Sequence, residues 1–345
     1  MLIGKVVGSV VSTRKNENLV GNKFMIVELI KDMGETKKDY CISFIRLLSM
    51  FMIITCHLFQ YYGSAFFYLF NVGVPLFLII SGYLYGAKRI DSAGGFILRQ
   101  FRKILVPYWV FILVASACYW VFSPEYINSA IFWKAFFTVG TINGIGHLWF
   151  VKYILFCYCL LPLLNAVRER VRSGIAMVAV AAASMLFVSF FFTECPFLDG
   201  VFVNCFVLGY FMRNVECGLN GKSVVLLYAC IIMVAVAVNA ERVVLIAGNM
   251  PAYHWNGEFN KYAHLLLGAA LFILLHRLVV IAKGNRVLDF SDRYSYCIYL
   301  VHQLFILSPF AVMALTQITA LNILLAYALS CLGGYLLCRV ASHLA

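Results

Sequence analysis

The sequence predicts an all-α integral membrane protein with about ten transmembrane helices and both termini in the cytoplasm. The first observation is composition: 63% of the 345 residues are hydrophobic and 12% are charged, with a mean hydropathy of +0.90. A soluble domain is about half apolar and about a quarter charged. The second observation is that the apolar residues form continuous runs of membrane-spanning length. The third is that the basic residues lie in the short loops between these runs.

The N-terminal segment differs from the rest of the chain. Met1–Glu28 contains β-branched runs around a polar turn at Arg14–Asn18, and it lacks the apolar core and cleavage site of a signal peptide. Met1–Ile30 resembles the opening strands of the small vertex proteins of bacterial microcompartments. We therefore divide the chain into an N-terminal extension of unknown role, residues 1–32, and a membrane domain, residues 33–345.

Ten apolar runs follow Tyr40, and most are long enough to cross the ~30 Å hydrocarbon layer as helices. They are continuously apolar rather than alternating, which favours helices over the strands of a membrane barrel. The sixth is the shortest. The ten predicted spans are Ser43–Gln60, Phe67–Ala87, Ile104–Phe122, His147–Val167, Gly174–Thr193, Phe197–Met212, Ser223–Ala240, Tyr262–Ile281, Ser295–Leu315 and Ala320–Leu337.

The basic residues orient these spans. With the N-terminus inside, 22 of the 27 Lys and Arg residues lie on the inner side, four lie on the outer side, and Arg46 lies within a span. An excess of Lys and Arg in cytoplasmic loops is the usual signature of membrane orientation. This distribution accounts for the net charge of +12 without a nucleic-acid partner.

Several kinds of chemistry lack support in the sequence. Most of the twelve cysteines lie inside apolar runs without CxxC or Cys/His ligand spacing, as expected for small buried hydrophobes. The chain has no GxxxxGK[ST], no GxGxxG after a strand and no HExxH. We therefore expect neither ATP hydrolysis nor dinucleotide binding, and no metal site.

Two ionisable residues lie in the first predicted span. Arg46 and His57 are eleven steps apart, so on a helix they share a face, about 16 Å apart along the axis. Ionisable groups inside a membrane usually mark a functional site, because burying them is costly. The alternatives are an arginine that extends to the membrane surface and a histidine hydrogen-bonded to a neighbouring helix.

A second basic pair precedes the third span. Arg99 and Arg102 are three residues apart and therefore neighbours on a helix, on the predicted inner side. Guanidinium groups suit phosphate oxygens, so the pair is a candidate phosphate site. The alternative is a cluster that only sets membrane orientation.

Five motifs in order give the membrane domain a family resemblance. They are DYCISFIRLLSMFMIITCH with Arg46 and His57, VGVPLFLIISGYLYG with Ser81, Gly82 and Tyr83, the pair Arg99 and Arg102, GHLWFVKYILFCYCLLPLL with His147 and Trp149, and YSYCIYLVH with Tyr299 and His302. From about Lys37 to the C-terminus, this pattern resembles the acyltransferase-3 family of membrane O-acyltransferases.

The resemblance implies a function. It is the transfer of an acyl group, with acetyl expected, from cytoplasmic acyl-CoA to a hydroxyl of a cell-envelope glycan or exopolysaccharide. The protein would be a multi-pass protein of the bacterial inner membrane, with the bilayer, acyl-CoA and a glycan or lipid-linked saccharide as partners. The predicted roles are catalysis for His57 and Arg46, phosphate binding for Arg99, Arg102 and Arg46, and substrate contact or a structural role for Ser81, Asn71, Trp149 and His302.

The positions of Arg46 and His57 along the first helix suggest different roles for the two residues. Phosphates held at the inner surface would leave the thioester near His57, where a neutral imidazole acts either as a general base or as a nucleophile. The sequence leaves that choice open. It also leaves two other functions open: a transporter or flippase of a lipid-linked saccharide, and, from the first thirty residues alone, a microcompartment-associated membrane anchor.

Overall fold

The computed structural model describes residues 4–10, 24–29, 39–171, 173–193, 195, 197–247, 257–281 and 283–344. The chain forms two compact units, Met1–Asp39 and Tyr40–Ala345. In the first unit, strands β1 (Gly4–Val10) and β2 (Phe24–Leu29) pair antiparallel. These strands coincide with the β-branched runs of the sequence. The predicted turn at Arg14–Asn18 and the segment 31–38 lie outside the described residues.

The second unit is helical. In its described residues, three short 3-10 turns interrupt or connect the helices: Pro124–Tyr126, Gly146–Trp149 and His302–Phe305. The helices are α1 (Tyr40–Tyr61), α2 (Phe67–Phe70), α3 (Gly73–Gly86), α4 (Ala93–Phe122), α5 (Ser129–Thr138), α6 (Phe150–Arg170), α7 (Gly174–Phe192), α8 (Gly200–Gly218), α9 (Gly221–Ala247), α10 (Glu258–Leu278), α11 (Arg286–Val301) and α12 (Thr319–Leu344).

Eight helical segments in the described part of the chain are long and apolar enough to cross a membrane. A multi-pass helical membrane protein is therefore confirmed, whereas the predicted count of ten spans is not. The eight segments are Tyr40–Tyr61, Phe67–Gly86, Ala93–Phe122, Gly146–Arg170, Gly174–Phe192, Gly221–Leu245, Phe259–Leu278 and Thr319–Leu344.

The other two predicted spans differ from the structure for physical reasons. Phe197–Met212 corresponds to α8, whose last turns carry Arg213 and Glu216 and so shorten its apolar run. Ser295–Leu315 is not one helix: α11 ends at Val301 and continues as the 3-10 turn His302–Phe305. A proline, Pro309, follows that turn, and proline disfavours helix both at its own position and at the preceding residue.

Helices α3 and α8 pack closely against each other. A Cβ atom on Gly82 would lie 2.0 Å from the carbonyl oxygen of Phe206, and one on Gly209 would lie 2.0 Å from that of Ile79. Only glycine permits this backbone approach, as is common where membrane helices pack closely. The glycine of the Ser-Gly-Tyr motif therefore has a packing role.

The periphery of the unit is apolar and exposed. Helices α7 and α9 carry large exposed side chains such as Phe190 and Val236. In a bilayer these side chains face lipid. The buried interior lies mainly among α1, α3, α6, α8 and α11, and the polar groups described next lie in or beside it.

Candidate active site

Three histidines from distant parts of the chain come together. His57 lies in α1, His147 in the 3-10 turn before α6, and His302 in the 3-10 turn after α11. The ring centroids are 4.4 Å apart for His147 and His302, 5.1 Å for His57 and His302, and 6.2 Å for His57 and His147. His147 and His302 are buried, and His57 is partly buried. Two of the three, His57 and His302, are among the predicted site residues.

The backbone of α11 fixes two of these rings. The carbonyl oxygen of Tyr299 accepts from His147 Nε2 at 2.7 Å and from His302 Nδ1 at 2.6 Å. The Tyr299 hydroxyl in turn donates to the carbonyl of His147. Because a carbonyl can only accept, each ring must carry its proton on the nitrogen that faces Tyr299. The lone pairs are then on His147 Nδ1 and His302 Nε2, which are buried and lack hydrogen-bond partners among the described residues.

Gln303 and Gln60 fix the third ring. The backbone N–H of His147 donates to Gln303 Oε1 at 3.2 Å, which turns the Gln303 NH2 group toward His57. That NH2 group lies 3.1 Å from each ring nitrogen of His57, and Gln60 Oε1 lies 2.9 Å from Nδ1. The consistent arrangement has His57 Nδ1–H donating to Gln60 and the lone pair of Nε2 accepting from Gln303.

This arrangement presents three neutral imidazoles to one small region. A neutral imidazole can take a proton from a hydroxyl group that attacks an adjacent carbon. Gln60 would stabilise the positive charge that develops on His57 during such a transfer. No group of three or more His, Cys, Asp or Glu side chains in the described ranges is arranged to hold a metal ion.

Arg46 has a carboxylate partner that the sequence analysis missed. Its Nη1 lies 2.6 Å from Oδ1 of Asp292 in α11, and the Ser43 hydroxyl donates to Oδ2 at 2.6 Å. The side chains of Arg46 and Asp292 are 20% and 16% exposed, so the pair is mostly shielded from solvent. The pair fixes the position of one Arg46 nitrogen and leaves its other N–H groups available to a ligand.

Lys88 lies near both Arg46 and Lys103. Arg99 and Arg102 are exposed on the first turns of α4, three residues apart as predicted, and neither forms an ion pair among the described residues. The pKa of Lys88 is lowered by partial desolvation and by the positive charges of Lys103 and Arg46. Positive charges held this close repel one another, and an anion would relieve the repulsion.

The remaining predicted site residues are Ser81, Asn71 and Trp149. The Ser81 hydroxyl donates to the carbonyl of Phe77 in its own helix at 2.9 Å. Asn71 is exposed at the break between α2 and α3. Neither has a described contact with the three rings, and their predicted role, substrate contact or a structural role, stays a prediction. Trp149 is partly buried two residues after His147 and packs against Phe202, with ring centroids 4.7 Å apart.

Three residues of this region carry no site role predicted from the sequence. His147 appeared only as part of a family motif, although its position at the start of a predicted span was a usable signal. Asp292 is an acidic residue on the N-terminal side of an apolar run, where sequence gives no indication of a partner. Gln303 offered one weak signal, a polar side chain beside His302 within an apolar stretch.

The comparisons with known proteins agree with both parts of the sequence prediction. Residues 1–44 match the family described as ethanolamine utilisation protein EutN/carboxysome. Comparison with curated proteins and with solved structures finds no match. Residues 39–340, most of the chain, match the acyltransferase-3 family, described as an acyltransferase domain. This match over most of the chain, together with the helices long enough to cross a membrane, shows that the chain belongs to the acyltransferase-3 family and is a membrane acyltransferase.

Proposed function

We propose that the protein transfers an acyl group, with acetyl expected, from cytoplasmic acyl-CoA to a hydroxyl of a cell-envelope glycan in the bacterial inner membrane. The observation that carries this proposal is His57: its Nε2 lone pair faces an amide donor, and its Nδ1–H is held by Gln60. This is the state that a general base for a hydroxyl group requires. The family supports acyl transfer, and the donor and acceptor are our assignments.

The reaction follows from that geometry. The acceptor hydroxyl takes the place of the Gln303 amide and gives its proton to Nε2 of His57 as its oxygen bonds to the thioester carbon. The tetrahedral intermediate then loses the carbon–sulfur bond, and the thiolate takes the proton from the imidazolium. The free lone pairs of His147 and His302 are two further acceptors, which would accept from other hydroxyl groups of the acceptor molecule. Direct acylation of His57 Nε2 is the alternative that the same geometry permits.

The basic group would hold the donor. Arg99 and Arg102 are exposed and unpaired among the described residues, and Lys88 lies near enough to Arg46 and to Lys103 to be influenced by both charges. Phosphate oxygens would satisfy such a group with charge-assisted hydrogen bonds. Arg46 and His57 are eleven residues apart on α1, so about 16 Å would separate bound phosphates from the reacting thioester.

A separate cavity would receive the acceptor. It has a volume of about 670 Å³ and is lined by Tyr153, which lies one helical turn after Trp149. Its other polar walls are Asp199 and Lys261, joined at 2.5 Å, and Ser189, whose hydroxyl is hydrogen-bonded to that of Tyr262. Hydroxyl, carboxylate and ammonium groups beside aromatic rings suit a sugar, and they support a glycan acceptor.

Labelled acyl transfer to isolated cell-envelope glycan tests the proposal. Wild type, His57→Ala and His57→Gln are compared at matched membrane levels, with His343→Gln, an exposed histidine of the last helix, as the matched control. Loss of a general base lowers rate by about 10²–10⁴-fold, so both His57 variants should be inactive and the control fully active. An active His57→Gln variant would contradict the proton-transfer role and would favour the transport function instead.

A further inference from the structure

A buried arginine lies far in sequence from the histidine cluster, near the end of α9. Arg242 is 5% exposed, and its Nη2 donates to the carbonyl of Tyr68 at 2.6 Å and its Nη1 to Oδ1 of Asn239 at 3.0 Å. Its Nε atom is buried and has no hydrogen-bond partner among the described residues. Arg242 is therefore held in place while one of its strongest donors remains unused.

The charge of Arg242 is also uncompensated. Over the described ranges of the chain, no Asp or Glu side chain lies within 4.0 Å of its guanidinium group. Two other shielded basic residues do have carboxylate partners: Arg46 pairs with Asp292, and Lys261 pairs with Asp199. An unpaired charge in a membrane-spanning segment is costly and is retained where it serves a ligand.

Arg242 and Asn239 line a cavity of about 420 Å³ whose other walls are mostly apolar. Phe66, Leu69 and Val243 form part of this wall and are 63%, 52% and 60% exposed. Exposed side chains of this kind on membrane helices contact lipid chains. The cavity thus combines one buried positive charge with a surface suited to acyl chains.

We propose that this cavity binds the phosphate group of an anionic membrane lipid. The free Nε–H and the remaining guanidinium N–H groups of Arg242 would donate to two phosphate oxygens, a geometry that a planar guanidinium matches. Asn239 would hold the guanidinium in place, and the acyl chains would lie along Phe66, Leu69 and Val243. The lipid would belong to the outer leaflet in the predicted orientation, since α9 ends on that side.

The bound lipid would also stabilise the segment beside the histidines. The carbonyl of Tyr68 in α2 accepts from Arg242 and from His264 Nε2 at 2.8 Å. The same short helix packs on the outer end of α1, where Phe59 contacts Phe70 with ring centroids 5.4 Å apart. Phe59 is two residues from His57, so occupancy of the cavity would restrain this end of the catalytic helix.

Native mass spectrometry of the purified full-length protein tests the site without reference to activity. Phosphatidylglycerol and phosphatidylcholine are titrated separately into wild type, Arg242→Gln, Arg242→Lys and Lys134→Gln, the last an exposed basic residue on the same predicted side. We expect wild type and Lys134→Gln to bind one phosphatidylglycerol in preference to phosphatidylcholine. Arg242→Gln should lower that affinity about tenfold to a hundredfold, and Arg242→Lys should be intermediate.

A second variant separates lipid binding from folding. Leu69→Trp keeps Arg242 and fills the apolar part of the cavity, so it should also lose the preferred phosphatidylglycerol while its melting temperature stays near that of wild type. Unchanged phosphatidylglycerol affinity in both Arg242→Gln and Leu69→Trp would overturn the proposal. Displacement of the lipid by millimolar inorganic phosphate would contradict the assignment of a lipid as the ligand, because it would identify a site for free phosphate.

Discussion

Arg46 pairs with Asp292 and is also a predicted ligand of acyl-CoA, and these two roles predict different effects when Arg46 is replaced. If Arg46 serves only as the partner of Asp292, its removal harms stability and leaves donor binding intact. If it also contacts acyl-CoA, its removal weakens donor binding even where stability is restored. The perturbations are Arg46→Gln, Asp292→Asn and the double variant, which together form a double-mutant cycle. Both substitutions remove a charge: Asp292→Asn keeps the shape of the side chain, whereas Arg46→Gln keeps a polar group on a shorter side chain.

The structure sets the expected magnitudes. An exposed ion pair contributes about 0–1 kcal/mol, whereas removing one partner of a buried pair costs about 3–5 kcal/mol. The Arg46–Asp292 pair lies between these cases, with side chains 20% and 16% exposed and a contact of 2.6 Å. We therefore expect each single variant to lose roughly 1–3 kcal/mol of stability, and the double variant to lose less than the sum of the two.

Donor affinity should respond differently. Arg46→Gln and the double variant should both bind acyl-CoA about tenfold more weakly, because each loses one charge-assisted contact of roughly 1.5 kcal/mol. Asp292→Asn should bind it at least as well as wild type, since a negative charge near the phosphates is removed. Melting temperature in detergent measures stability, and equilibrium binding of labelled acyl-CoA measures affinity. Wild-type affinity in the double variant would refute a donor contact by Arg46.

Three further predictions follow from the same site and topology. Arg99→Ala and Arg102→Ala should each weaken acyl-CoA binding about ten- to a hundredfold, with Arg102→Lys intermediate. Unchanged affinity in correctly inserted protein would mean that the two arginines only set the orientation of the chain in the membrane. A reporter fused after Ala345 should be cytoplasmic, and a reporter fused in the loop 248–257 should be external. Residues 248–256 of this loop lie outside the described residues. A cytoplasmic signal from the loop reporter would contradict the charge-based orientation. Deletion of residues 1–32 should leave acyl transfer unchanged at matched membrane levels, and lost transfer would show that the extension contributes to the enzyme.

Sequence was sufficient where one helix determines the outcome. The apolar runs of α1, α6 and α7 have membrane-spanning length, and the structure has helices at those positions. Arg99 and Arg102 are neighbours on α4 because a three-residue spacing always places side chains on one face. Such inferences need no knowledge of how the helices pack.

Sequence was insufficient where several helices meet. His57 and His302 are 245 positions apart, and no helical period relates them. Their contact depends on α11 packing beside α1, which also places Asp292 against Arg46. His57 was also predicted from its position within a span, whereas His302 was predicted from the family resemblance alone. The resemblance gave no reason for the two rings to be close together. Gln303 illustrates the limit, because its role depends on a backbone N–H of His147 that no sequence pattern reveals.

The error in the ninth predicted span and the position of the histidine cluster have one cause. Within a membrane, a continuous helix satisfies its own backbone, so a helix that ends inside the protein leaves carbonyl groups that need other donors. Helix α11 ends at Val301, and the Tyr299 carbonyl in its last turn accepts from His147 and His302. Those bonds fix the positions of the ring protons and leave two buried lone pairs without a partner among the described residues. An uninterrupted ninth helix would have matched the hydropathy of the sequence and would have removed the feature that orients these imidazoles.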